Sequence, residues 1–388
     1  MTEFANDLRA ELTGNILPWW TEKMMDPFGG FFGRMDGEGT LHRFAPRGSV
    51  MTARILWTFS AAYRQLQNPE YLQVARHAKR YLIDRFYDHD FGGVYWTLNA
   101  DGSPRETKKQ FYALAFALYG LAEFARATGD EEALEMAVRL FGDIERNSLD
   151  REKGGYIEAC TRNWGEIEDL RLSDKDANER KTMNTHLHIL EAYTNLLRVW
   201  YKELMVNKLR ELIDLFLDRI VQPSGHLGLF FDDNWNLRDK SVSYGHDIEA
   251  SWLLLEAAQV IRDEVLTERV KVATRKIAMA ALEGINPDGS MNYHLHEDGR
   301  VDTERHWWVQ AEAVVGQAYL WRFHDIPEGL SGARKTWEYI KTHFIDGRGE
   351  WLWSVDEKGR PNLRDDRAGL WKCPYHNGRM CLEISELL

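Results

Sequence analysis

"DHDFGGVYWTLNADGSP", Asp88 to Pro104, reads as a turn, a short aromatic-rich alternating strand and a second turn. The pattern recurs. It stands also at "DPFGGFFGRMDGEG" from Asp26, "DREKGGYIEACTRNW" from Asp150, "PSGHLGLFFDDNWN" from Pro223, "NPDGSMNYHLHEDG" from Asn286 and "DGRGEWLWSVDEKGRP" from Asp346. Six copies at a period of roughly 60 residues, stretched once, mark a repeat architecture.

Between the hairpins lie two helical patterns per repeat. "PEYLQVARHAKRYLIDRF", residues 69–86, places apolar residues at i, i+3, i+4 and i+7 with charges opposite, while "KKQFYALAFALYGLAEFARAT", residues 108–128, is apolar nearly all round. The first kind belongs outside and the second inside. Six such pairs predict an all-α fold: an (α/α)6 barrel of six inner and six outer helices, with short β-hairpins at one mouth, as a single domain over residues 1–388. An open α-solenoid is the alternative, but its helix pairs are usually shorter and lack hairpins.

Composition narrows the partners. A formal charge of -12 argues against nucleic acid and against an anionic membrane surface. The N-terminus has no apolar leader, and "FYALAFALYGLA" is too short to span a bilayer, so an unexported, cytoplasmic protein is expected. The expected partner is a small oligosaccharide, and the expected state a monomer. Cys160, Cys373 and Cys381 lack CxxC spacing, which suits a reducing compartment. Fifteen tryptophans are many; a large aromatic core takes most of them, and several are expected to line a cleft, where flat rings suit the C–H faces of a sugar.

In the predicted topology every hairpin leads into the N-terminus of an inner helix, so the first turns of those helices meet at one mouth, with their N–H groups and positive dipole ends. They bring Arg54, Tyr112, Asn184 and His188, His246 and Glu249, Trp307, Trp308 and Glu312, and finally Trp371 and His376. Asn184 and His188 share a helical face, as do His246 and Glu249. His186, two positions off that face, reads as a core residue, and so does Trp307.

Three chemistries compete for this set. Zinc has histidines and a carboxylate available, but no HExxH or Cys/His cluster, and Arg54 would oppose a cation, so no metal is expected. Cys373 lies near His376 in "WKCPYHNGRM" without a thiol-pair signature. Glycoside hydrolysis needs two carboxylates, for which Glu249 and Glu312 are candidates, but it leaves the imidazoles without a task.

"KTMNTHLHILEAYTNLLRVW", "DDNWNLRDKSVSYGHDIEASWLL" and "WKCPYHNGRMCLEI" together closely resemble the cellobiose 2-epimerases, within the N-acylglucosamine 2-epimerase superfamily of (α/α)6 barrels. The similarity runs along nearly the whole chain. It implies reversible, cofactor-independent epimerisation at C2 of the reducing-end glucose of β-1,4-linked disaccharides. It further implies that His246 and His376 are the acid/base pair, that Arg54, Asn184, His188 and Glu249 are polar site residues, and that Tyr112, Trp308 and Trp371 shape or stack on the sugar. Arg47 is not carried over. Two groups that titrate near neutrality suit the task, because each acts as base in one direction and acid in the other. Glu249, one turn from His246, is expected to orient that ring. An aldose-ketose isomerase of the same superfamily, a hydrolase and a non-catalytic sugar-binding barrel remain as alternatives.

Overall fold

Where the sequence alternates amphipathic and wholly apolar segments, the chain alternates outer and inner helices. The computed structural model describes residues 2–388. The outer helices are α1 (2–24), α3 (69–86), α5 (Glu131–Asn147), α7 (203–220), α9 (Glu264–Ala281) and α11 (Glu328–His343). The inner ones are α2 (Ser49–Leu66), α4 (Phe111–Thr128), α6 (Met183–Val199), α8 (Tyr244–Ile261), α10 (Trp307–Phe323) and α12 (His376–Leu387). Each inner helix packs on the next, and α12 closes the ring against α2. The expected (α/α)6 barrel is the fold.

Burial explains the division. In α4 every residue from Phe111 to Ala125 is buried, and each fully buried large apolar side chain is worth about 1.5–3 kcal/mol. Helices this enclosed approach closely where a side chain is missing. A Cβ on Gly120 would lie 2.6 Å from the Ala53 carbonyl oxygen of α2, and one on Gly316 would lie 2.4 Å from Ile248 Cγ1 of α8. Among the described residues no helix is long and apolar enough to cross a membrane.

The two ends of the barrel are built differently. At one end, three inner helices, α2, α4 and α8, turn directly into outer ones through a left-handed residue followed by Asn or Asp. Gln67, Gly129 and Arg262 have φ of 55°, 73° and 64°, and Asn68, Asp130 and Asp263 then cap α3, α5 and α9. At the other end stand the hairpin segments. Here the structure departs from independent hairpins: the strand just before each inner helix pairs with the following repeat. Arg47–Gly48 pairs with Thr97–Leu98, Lys109–Gln110 with Ala159–Cys160, and Lys181–Thr182 with Phe230–Phe231. Val242–Ser243 pairs with His294–Leu295, Arg305–His306 with Ser354–Val355, and a Met35–Ala368 bridge joins the last repeat to the first. Strands of two or three residues gain little alone, and the belt satisfies their backbone groups around the mouth.

Buried ion pairs anchor this belt. The aspartate that opens a hairpin bonds a cation just ahead of the next inner helix: Asp26 with Arg47 (2.5 Å), Asp88 with Lys109 (2.9 Å), Asp150 with Lys181 (2.8 Å) and Asp346 with Arg367 (2.8 Å). Arg47 is therefore a structural residue.

Candidate active site

Counting from the helix starts shows how the ring assembles its polar residues. The sixth residues of α2, α4, α6, α8 and α10 are Arg54, Phe116, His188, Glu249 and Glu312. One turn nearer the mouth come Tyr112, Asn184 and Trp308, each second in its helix, and His246, third in α8. The ninth residues Trp57, Tyr119, Glu191 and Trp252 form a deeper layer, in which Trp57 stacks on Tyr119 at 5.2 Å.

The fourth residue does other work. His186 Nδ1 donates to the Thr182 carbonyl (2.6 Å), and its Nε2 accepts the Tyr156 N–H (2.8 Å), so the Nδ1–H tautomer satisfies both. Gln310 holds Met291 in the same way from α10. His186 is the core residue the sequence suggests.

Arg54 donates through Nη2 to the Tyr112 hydroxyl (2.8 Å) and lies over the Phe116 and Tyr375 rings at 4.1 and 4.7 Å. Tyr112 meets His188 edge to face at 5.0 Å and Trp371 at 5.9 Å. Trp371 is not on the last inner helix as expected: α12 begins at His376, and Trp371 reaches the site from the preceding loop, half-buried against Trp96. Trp307 packs on Trp353 in the core.

Two of the three site imidazoles are backed by carboxylates. His376 Nδ1 lies 2.7 Å from Glu312 Oε1, and His188 Nδ1 lies 2.9 Å from Glu191 Oε2. His246 is backed by a hydroxyl: its Nδ1 lies 2.7 Å from Ser243 Oγ. The expected Glu249–His246 contact is absent, because the Glu249 carboxylate is taken up by Arg379 at 2.6 Å. Among the described residues, no protein group bonds Nε2 of His188, His246 or His376. The Trp308 indole links two of these rings, 4.8 Å from His246 and 5.6 Å from His376.

Arg379, Glu191 and Tyr375 were not singled out in the sequence. They carry a signal of the same kind as the residues that were: Glu191 follows His188 by three and Arg379 follows His376 by three, which places each pair on one helical face. Arg379 is fully buried and donates to Glu249, Glu312 (2.7 Å), Glu191 and the Tyr375 hydroxyl.

Burial, then His188 and His294, lowers His246 to about 3, and burial with Arg54 and Arg379 holds His376 well below the usual histidine range. Both rings are neutral at pH 7. Burial and the Glu312 charge push Glu249 up to about 8, whereas Arg379 and His188 overcome burial to hold Glu191 at about 2. Burial pushes the Cys373 thiol up, and the side chain is 1% exposed, so it offers no thiolate.

A cavity of about 810 Å³ opens at the mouth, lined by Asn184 and His246 from the inner helices, by Ser243 just ahead of α8, by Arg171 and Asp176 of the stretched third repeat, and by Tyr293 and His294 of the fifth; Arg54, His188 and His376 are not part of its lining. The Asn184 side-chain oxygen has no protein partner. This size falls within the ~300–1,000 Å³ of small-molecule sites. The atoms that could hold a cation, on Glu249, Glu312 and His376, lie within 4.8 Å of one another, but the Arg379 guanidinium already bonds both carboxylates and would have to be displaced. The same contact bears on hydrolysis: both carboxylates, each 1% exposed, face one guanidinium and cannot flank a glycosidic bond.

Fold and geometry together describe an (α/α)6 barrel whose inner helices gather three imidazoles. Residues 30–378 match the model of the N-acylglucosamine 2-epimerase (GlcNAc 2-epimerase) family, and the chain belongs to that family. It is 55% identical to the cellobiose 2-epimerase of Bacteroides fragilis over 97% of each chain, and 39% identical to that of Ruminococcus albus over 98% of this chain and 97% of the other. The solved cellobiose 2-epimerase of Bacillus thermoamylovorans B4167 superposes with a TM-score of 0.95 at 41% identity, with full coverage of both chains.

Proposed function

We propose that the protein reversibly inverts C2 of the reducing-end glucose of β-1,4-linked disaccharides, cellobiose to glucosylmannose and lactose to epilactose, without a cofactor. The observation that carries this reading is the pair of neutral imidazoles, His246 and His376, on one indole, each with Nδ1 engaged and Nε2 left for a substrate. Full-length similarity to cellobiose 2-epimerases supports the substrate class.

In the opened sugar the C1 carbonyl acidifies the C2 proton. His376 Nε2 removes it, and Glu312 behind Nδ1 stabilises the imidazolium that forms. Charge on O1 and O2 is met by Arg54 and the Asn184 amide N–H, the kind of contact worth a few kcal/mol per donor, while His188, its Nδ1–H on Glu191, accepts a sugar hydroxyl at Nε2. After rotation about C2–C3, His246 returns a proton to the opposite face. That step needs one imidazolium. Three buried carboxylates, Glu191, Glu249 and Glu312, stand against two guanidiniums, Arg54 and Arg379, so one further proton balances the cluster. Burial and the Glu312 charge favour Glu249 as its holder in the empty site, and its transfer to His246 on sugar binding would supply that imidazolium. Tyr112, Trp308 and Trp371 hold the ring faces. Three buried free thiols support a reducing compartment, the cytoplasm.

Incubation with cellobiose, lactose and mannose in D2O, followed by NMR, tests the reading. A C2 epimer that carries deuterium is expected. Ketose would indicate return of the proton to C1, released glucose would indicate hydrolysis, and no change would indicate binding alone. His376→Asn should bind cellobiose and turn none over; an active variant refutes the assignment.

A further inference from the structure

The two carboxylates that back His376 and His188 come from different helices, α10 and α6, and meet only through one group. Arg379 Nη2 lies 2.7 Å from Glu312 Oε1, the same oxygen that faces His376 Nδ1. Arg379 Nη1 bonds Glu191 Oε1, while the other oxygen of that carboxylate, Oε2, faces His188 Nδ1. Tyr375 adds its hydroxyl to Glu191, and Glu249 takes the remaining reach of Nη2. The guanidinium lies over the Trp252 and Tyr375 rings at 4.7 and 4.3 Å, wholly out of solvent.

We infer that Arg379 is a positioning residue for the epimerisation: through Glu312 and Glu191 it fixes the orientation and tautomer of His376 and His188 together. It touches no substrate. An ionised carboxylate only accepts, so each contact keeps a proton on Nδ1 and leaves the Nε2 lone pair for the sugar. A planar fork with donors on two faces can hold carboxylates from three helices at once, which an ammonium on a flexible stem cannot do with the same geometry. Loss of the fork should loosen both rings while the sugar-facing contacts stay in place. The inference rests on the reading of His376 as the C2 base, and the test separates the two.

The test is Arg379→Lys, which keeps the charge and removes the fork. Expected is a folded protein with kcat lowered on the order of 10–100-fold and KM within about threefold, as for other residues that support a catalytic side chain. In 15N-histidine spectra the His376 and His188 rings should lose their single Nδ1–H form. Addition of Glu312→Gln to Arg379→Lys should cost less than the product of the two separate losses, because both act on one chain of contacts. Wild-type kcat and unchanged ring signals in Arg379→Lys, with His376→Asn inactive, overturn the role of Arg379 alone; an active His376→Asn overturns the reading beneath it. The wild-type spectrum decides in any case, since an Nε2–H form of either ring refutes the arrangement.

Discussion

His376 Nδ1 and Glu312 Oε1 stand 2.7 Å apart, both side chains buried, and Trp252 Nε1 donates to the second oxygen of the same carboxylate at 3.0 Å. Glu312 is thus fixed from two sides before it orients the imidazole. In the sequence reading it is a residue of the mouth whose one assigned use is half of a hydrolytic pair, and the structure gives it a different contact.

Glu312→Ala should lower kcat by on the order of 10–100-fold, or about 1.4–2.7 kcal/mol, with a smaller effect on KM. It also strips a partner from Arg379 and Trp252, so the melting temperature should fall. Glu312→Gln keeps an acceptor for Nδ1–H and should recover part of the rate. Initial rates of C2 deuterium incorporation with cellobiose check both, and an alanine variant at wild-type rate would show that the carboxylate does not act on His376.

His186 supplies a pH prediction. Burial lowers its pKa to about 4, while in the unfolded chain it titrates near ~6.5. The folded pKa is the depressed one, so above ~6.5 the ring costs nothing. As pH falls from ~6.5 to about 4, the unfolded chain takes up a proton that the folded one refuses, and stability drops by ~1.4 kcal/mol per unit, roughly 3 kcal/mol in all. Gln310 shows in α10 that an amide makes equivalent bonds, including one to the carbonyl four residues back. His186→Gln should therefore match wild type within about 1 kcal/mol at pH 8, resist urea better at pH 5, and keep kcat. Urea titrations across pH 4–8 measure this, and an unchanged slope would assign the acid sensitivity to other buried rings.

These two residues show what the sequence could and could not say. Period, hairpin signature and the contrast between amphipathic and enclosed helices determine the barrel, because they express which faces meet water. The same logic located the mouth and the residues in the first turns of the inner helices. It could not pair them. Whether Glu249 faces His246 or Arg379 depends on how far each helix projects into the ring, and α12 enters with Arg379 between three carboxylates that α6, α8 and α10 supply. Trp371 was misplaced because a sugar-facing loop and a helix start look alike over five residues. Strand partners were equally hidden: a two-residue strand carries no register, and only closure of the ring brings Lys109–Gln110 against Ala159–Cys160.

The Asp88–Lys109 pair tests how the belt supports the site. Both side chains are fully buried; Lys109 donates to Asp88 at 2.9 Å, and Arg162 adds bonds of 2.8 and 3.0 Å. Although burial raises it, the Asp88 carboxyl is held well below the usual range by Arg162 and Lys109. The folded pKa is the lower one, so the stabilisation is present above about pH 4 and is lost as pH falls through the carboxylate range. Asp88→Asn leaves Lys109 charged, buried and short of a counter-charge, and should cost about 3–5 kcal/mol, less whatever solvent recovers for the half-exposed Arg162. Asp88→Asn with Lys109→Met removes both charges and should restore most of that loss. Lys109 stands three residues before Tyr112, so the single variant should also raise KM for cellobiose by loosening the start of α4 while the rate at saturation changes less. Urea unfolding of the single and double variants at pH 7, with KM measured alongside, decides the point: a single variant as stable as wild type would mean that the belt is held by its strand pairs and not by its buried ions.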